Sequence, residues 1–303
     1  MTQLYWQVYL NLERELLGLA DTIYIDDDQQ NVYSMRIADL LIRTVIEIEA
    51  LAKDLYLSNG GVAVPNEEMF FDSVCMAYLD GLWNLDNKVV QVVSPNIYFE
   101  KEENIVLRPL HKASKRGTSS ADWNKAYQAV KHNRVKDINK GSIKNMIHGL
   151  AALYVLNLYY RGERMSGLFD ADKANINGSF GSALFSVKIH RVQGLKSSGE
   201  YLKAEDYDEC VYIEDYEPST KKAAMAAIAS MDEHDGRYRK ERLEQMVRER
   251  IANGEELSEE WMKQAVSKVR GMIPPAMAHD QVRQIVNTLS RLRFDIVLNK
   301  RQY

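Results

Sequence analysis

Apolar residues recur at helical spacing through most of the first 160 positions. Over residues 3–22, Leu4, Val8, Leu10, Leu12, Leu16, Leu17 and Leu19 oppose Glu13, Arg14 and Glu15, which predicts an amphipathic helix of about five turns. Ser34 is placed to cap a second helix, with Ile37, Leu40, Leu41, Val45, Ile48, Leu51 and Leu55 as its stripe. Glu47, Glu49 and Lys53 interrupt that stripe, and Asn59-Gly60-Gly61 ends it with residues tolerant of left-handed backbone. A third helical stretch is expected from Asn66 to about Leu85, carrying Phe70, Val74, Met76, Tyr78, Leu79, Leu82 and Trp83. Val89–Val93 is β-prone until Ser94-Pro95 breaks it. Residues 96–120 show no period and read as an extended connection, and long ordered loops of this kind often carry function. Asp122 is an N-cap candidate for a helix reaching Arg134, whose core face is Trp123, Tyr127 and Val130. Ser142 caps the next helix, Ile143 to about Arg161, which is apolar almost all round and so belongs at a bundle centre or a dimer interface.

The second half is patterned differently. Residues 162–181 read as loop, while 182–192 and 209–215 alternate in the manner of strands and predict a small sheet or hairpin. Ser219-Thr220 caps an alanine-rich helix ending at Met231, and Asp235-Gly236 separates it from a charged helix over 237–252. Ser258 caps another through Arg270, Pro274-Pro275 punctuates, and a final helix is expected from His279 or Asp280 to about Lys300. Its stripe is Val282, Ile285, Val286, Leu289, Leu292, Ile296 and Val297. The expected architecture is mostly α, with a helical bundle over 1–162. A smaller α+β, largely helical region follows over 163–303, holding a short β pair within about 182–215 and helices over 219–300.

Composition narrows the function classes. A net charge of −4 with 27% charged and 46% hydrophobic residues describes an ordinary soluble chain with a sizeable core. Cys75 and Cys210 stand far apart without a Cys-x2-Cys partner, so neither a zinc site nor any other metal is expected, and a reducing compartment fits. Asp26-Asp27-Asp28 lacks the alternation and glycine of a calcium loop. There is no phosphate-binding loop, dinucleotide fingerprint or nucleophile elbow, hence no cofactor is expected. No apolar run approaches the roughly 18 residues of a membrane span, and the start lacks the basic-then-apolar form of a signal peptide. The expected location is cytoplasmic.

One segment departs from the acidic balance. Between Arg108 and Lys144 ten basic residues face two acidic ones, Asp122 and Asp137, a pattern that attracts phosphate. Within it Lys125, Gln128 and His132 fall on one helix face, lining up a cation with a titratable imidazole. Arg134 lies about 200° from His132 unless the helix ends near Asn133. The plainer alternative is a solvated helix end at Lys131–Arg134. Glu49 and Lys53 have two readings as well, as a surface i,i+4 pair or as groups orienting a basic residue of this helix. His148 reads as a packing histidine, and the Arg237–Arg250 cations, interleaved with glutamates, as a solvated face.

Trp123-x3-Tyr127-x3-Lys131-His132-x-Arg134, followed by an apolar helix rich in small residues, resembles the signature region of HEPN-like bacterial proteins. The opening Tyr5-Trp6 helix, Tyr33-Ser34 and the Glu47-x-Glu49-x3-Lys53 pattern extend the resemblance over about residues 3–160. It implies a helical bundle that forms a homodimer, binds RNA and in many members cleaves it without metal, in bacterial defence or toxin–antitoxin systems. Such nucleases carry Arg-x(4–6)-His. None of the six histidines here has an arginine at that spacing, and Lys125 holds the position ahead of His132. The resemblance then implies His132, Lys125, Lys131 and Arg134 as catalytic residues and Arg108, Lys112, Lys115, Arg116 and Asn133 as RNA contacts. Glu47, Glu49, Trp123 and Tyr127 would support them. The alternative is a non-catalytic HEPN-like dimer whose basic face docks a partner protein or a nucleotide.

Overall fold

The computed structural model describes residues 4–65 and 67–303, and it is mostly helical. Helix α1 (Leu4–Ala20) and helix α2 (Met35–Ser58) follow their apolar stripes, with the Ser34 hydroxyl accepting from the Ile37 N–H at the start of α2. A π-helical turn (Phe71–Met76) leads into α3 (Ala77–Trp83). Strand β1 (Val90–Val92), the short α4 (Glu102–Ile105) and β2 (Val106–Leu107) precede a long loop, then α5 (Asp122–His132), α6 (Arg134–Asp137) and α7 (Ile143–Arg161). Beyond these lie β3 (Met165–Leu168), α8 (Asp170–Lys173), β4 (Phe185–Ser186), β5 (Ile189–His190), β6 (Gly194–Leu195), β7 (Tyr201–Leu202) and β8 (Tyr212–Tyr216). Helices α9 (Pro218–Ala252), α10 (Glu259–Arg270) and α11 (His279–Leu289) and strand β9 (Phe294–Leu298) complete the chain. The expected starts at Gln3 and Asn66 lie outside the described residues.

Helix α7 is the axis of the fold. Its Leu150, Leu153 and Leu156 are fully buried against α1, α2 and α5, because a helix without a polar face must be covered on every side. Gly149 permits the close crossing with α2, since a Cβ there would meet Leu41 at 3.3 Å. All of this cover comes from the same chain, so no second copy is needed to bury α7.

The expected break at 162/163 does not divide the packing. Phe185, Val211, Tyr212, Ile296 and Leu298 belong to the same core as the helices. β4 adds to β1 through Gln91↔Ser186 and Val92↔Phe185, extending the antiparallel sheet β2-β1-β4. The buried Glu13 carboxylate on α1 accepts from the Ser182 hydroxyl and from the N–H groups of Ala183 (3.2 Å) and Leu184 (3.1 Å). Tyr159 of α7 donates to the Asn299 carbonyl at 2.8 Å.

Several expectations are corrected by non-local pairing. The last helix stops at Leu289, and Phe294–Leu298 is instead β9, paired antiparallel with β8 over five positions and with β3 on its other side. Leu292, Phe294 and Ile296 alternate with Arg293 and Asp295, a period-two pattern inside the helical stripe, and two neighbouring strands decide it. The segments around 182–192 and 209–215 are not a hairpin: β5 runs parallel to β8, in the sheet β3-β9-β8-β5. Residues 1–162 contain β1 and β2 besides their helices. Asp235-Gly236 does not interrupt α9, where pairs such as Glu233–Arg237 and Asp235–Arg239 bridge the weak point. Among the described residues no helix is long and apolar enough to cross a membrane.

Candidate functional site

The loop before α5 is aperiodic yet pinned. The Trp123 indole N–H donates to the Pro109 carbonyl at 2.8 Å, in the interior. Asp86 receives the Lys112 N–H at 2.7 Å and pairs with His111 Nδ1 at 2.9 Å. Burial would raise the Asp86 carboxyl, but these two partners hold it below the usual carboxylate range. Lys112 adopts a left-handed conformation (φ 60°) at this anchor, a strain its hydrogen bond offsets.

The anchored loop and α5 enclose a cleft of about 560 Å³. Asn124, Lys125, Gln128 and His132 line it from α5, Arg116, Gly117, Thr118 and Ser120 from the loop, and Asp72 from the π turn. A smaller cavity of about 210 Å³ shares Thr118, Ser120 and Lys125 and adds Arg108, His111, Lys112 and His148. A third, of about 200 Å³, shares Asp72, Arg116 and Gln128 and reaches Glu49, Lys53 and Phe70. The three cavities share walls along α5, and the largest of them is the groove proper.

The charges of the groove are placed by specific partners. Lys125 Nζ meets Asp122 Oδ1 at 2.6 Å, and this bond holds the Asp122 carboxyl below its ordinary range. Asp122 is the first residue of α5, not its cap; Ala121 occupies that position. Arg116 Nε lies 3.5 Å from Asp72 Oδ1, with its guanidinium 3.9 Å above the Phe70 ring. Burial, assisted by Lys144, pushes the His148 imidazole down to about 4, against a smaller opposing pull from Asp122. Asn124 is only 2% exposed; its Nδ2 donates to Ser120 Oγ at 2.8 Å, and its Oδ1 finds no partner among the described residues.

The structure brings His132 and Lys125, expected as catalytic, into one cleft with Arg116, expected as an RNA contact, and sends Lys131 and Arg134 elsewhere. Arg134, on the turn after α5 ends, pairs with Asp39 at 2.8 Å. Lys131 donates to the Tyr127 hydroxyl at 3.1 Å, and that bond, with Glu49 nearby, raises its pKa. Glu49 lines the third cavity beside Lys53 and Gln128. The Glu47 carboxyl is raised by burial, with Arg43 opposing, and it does not line the cleft. Trp123 and Tyr127 are core residues, each at most 2% exposed. Asn133 caps α6 by accepting the Lys136 N–H at 3.4 Å.

Of the expected RNA contacts, Arg108 pairs with Glu209 and Arg116 with Asp72, while Arg108 and Lys112 line the smaller cavity. Three of those ten cations are paired by acids from distant parts of the chain, Arg108 by Glu209, Arg116 by Asp72 and Arg134 by Asp39. Asp72, Thr118, Ser120, Asn124 and His148 carry no motif in the sequence that marks them as site residues. A Ser120-x3-Asn124 spacing across a helix start was the one local sign, since i and i+4 meet there. Among the described residues no three His, Cys, Asp or Glu side chains converge as a metal-holding group. Comparison with family models, with curated proteins and with solved structures finds no match for this chain.

Proposed function

We propose that the groove along α5 binds RNA and that the protein is a HEPN-like, metal-independent endoribonuclease with His132 as general base. The observation that carries this reading is the shared cleft of His132, Lys125 and Arg116. The arginine absent from the family spacing is supplied from the preceding loop by Arg116, whose planar fork suits a phosphate better than lysine does. An imidazole nitrogen of His132 takes the proton of a ribose 2′-hydroxyl, and that oxygen attacks the adjacent phosphorus. Arg116 and Lys125 offset the charge growing on the phosphate oxygens. The 5′-oxygen leaves and takes a proton from water, giving a 2′,3′-cyclic phosphate and a free 5′-hydroxyl. The setting in bacterial defence or toxin–antitoxin systems, the cytoplasmic location and the homodimer follow from the resemblance and the composition alone.

Labelled RNA incubated in EDTA tests the reading. His132→Ala should lose about 10²–10⁴-fold in rate with its fold intact. Arg116→Ala should lose about 10²-fold or more, whereas Arg134→Ala, outside the cleft, should stay near wild type. Cleavage of single-stranded DNA at a comparable rate, or full activity in His132→Ala, ends the mechanism. A second reading, a non-catalytic module that docks a nucleotide or a partner protein, is favoured by one observation. Both cleft cations are already tied to carboxylates, Lys125 to Asp122 and Arg116 to Asp72. Under it, RNA binds with steep salt dependence and leaves uncut.

A further inference from the structure

The wall of the cleft holds a feature that the phosphate chemistry leaves unused. Asn124 is 2% exposed and lines the cavity, one end of its carboxamide held by Ser120 and the other without a partner among the described residues. Buried polar groups are nearly always paired, so an unpaired, buried amide end on a residue of the cavity wall marks a place for a ligand's polar edge. Rotating the amide by 180° changes which atom is open, not the fact that one is. Gln128, one turn further along α5, is a second carboxamide residue in the wall of the same cavity, and His132 follows one turn later.

We infer that Asn124 and Gln128 form a pocket for a nucleobase, read by hydrogen bonds at its edge. This rests on the RNA reading above and gives the bound nucleotide a direction. Eight residues of helix separate Asn124 from His132 by about 12 Å, and Gln128 lies about 6 Å from each. A base seated at the Ser120–Asn124 end therefore places its ribose toward Gln128 and His132, where the 2′-hydroxyl has to be. Paired carboxamide donors and acceptors match the mixed donor and acceptor edges of bases, whereas a phosphate offers acceptors only. The cavity, at about 560 Å³, has room for one nucleotide with its base.

The test uses a short RNA carrying a single 2′-deoxy residue at the cleavage position, so that binding is read without turnover. A second oligonucleotide is abasic at that nucleotide. Anisotropy at fixed salt should show wild type losing about 5–30-fold in affinity for the abasic strand, the range of one to two net hydrogen bonds. In Asn124→Ala that penalty should shrink below about 3-fold, while Arg116→Ala should weaken both strands by the same factor. Because Asn124 is buried, thermal melting is recorded alongside. Should that variant not fold, the half-buried Gln128→Ala carries the same comparison and should also reduce the abasic penalty. Equal affinity of wild type for both strands, or a full penalty retained in a folded Asn124→Ala, overturns the base pocket while leaving RNA binding intact. Absence of any RNA binding overturns the functional reading together with it.

Discussion

Replacing His148 by glutamine should flatten the acid side of the stability profile. The imidazole ionises at about 4 in the fold against an ordinary 6.5, because burial removes it from water and Lys144 repels its charged form; Asp122 compensates only in part. The unfolded chain therefore binds a proton that the folded one refuses, and stability falls as pH drops through the window from 6.5 to 4. Linkage with those two values gives a loss of about 2 kcal/mol between pH 7 and pH 5, growing to about 3 kcal/mol by pH 4. Below that window both states carry the proton and the penalty stays constant. Urea unfolding of wild type and His148→Gln at pH 7, 6, 5 and 4 measures this as a difference of differences, so carboxylates titrating alike in both proteins cancel. The variant should lose about 2 kcal/mol less than wild type on going from pH 7 to pH 5. Parallel profiles would refute the reasoning, since His148 would then ionise as readily in the fold as outside it.

Two further outcomes test the packing that positions the cleft. Glu13→Ala leaves the Ala183 N–H without its acceptor, while the Leu184 N–H keeps Ser182 Oγ and the Ser182 hydroxyl keeps Tyr9, so it should cost about 1–3 kcal/mol in urea unfolding; no measurable cost would mean that α1 does not anchor this turn. Gly141→Ala puts a Cβ 2.7 Å from the Ala38 Cβ and 2.9 Å from its Cα, so the turn into α7 must shift away from α2, at about 1–3 kcal/mol. Ala38→Gly in the same chain should recover part of that loss, and failure to recover any would place the strain elsewhere.

The helical half was legible because its information is local. Stripes at 3.6-residue spacing define α1, α2 and α5, and the absence of a polar face already places α7 at a bundle centre or a dimer interface. The same spacing puts Lys125, Gln128 and His132 on one face, and the cleft is built on that face. What the sequence alone left open depends on partners far along the chain. Residues 294–298 become a strand only because β8 and β3 offer their edges, and residue 162 is no boundary because β4 completes a sheet begun by β1. Three cations of the basic segment, Arg108, Arg116 and Arg134, are taken up by Glu209, Asp72 and Asp39. Arg134 is lost to the cleft and Arg116 gained for the same reason: α5 ends at His132, turning Arg134 toward Asp39, while the loop anchored on Asp86 carries Arg116 back beside Asp72. Periodicity fixes which residues share a face, but ion pairing and strand addition join residues tens to hundreds of positions apart, and only the folded chain selects among them.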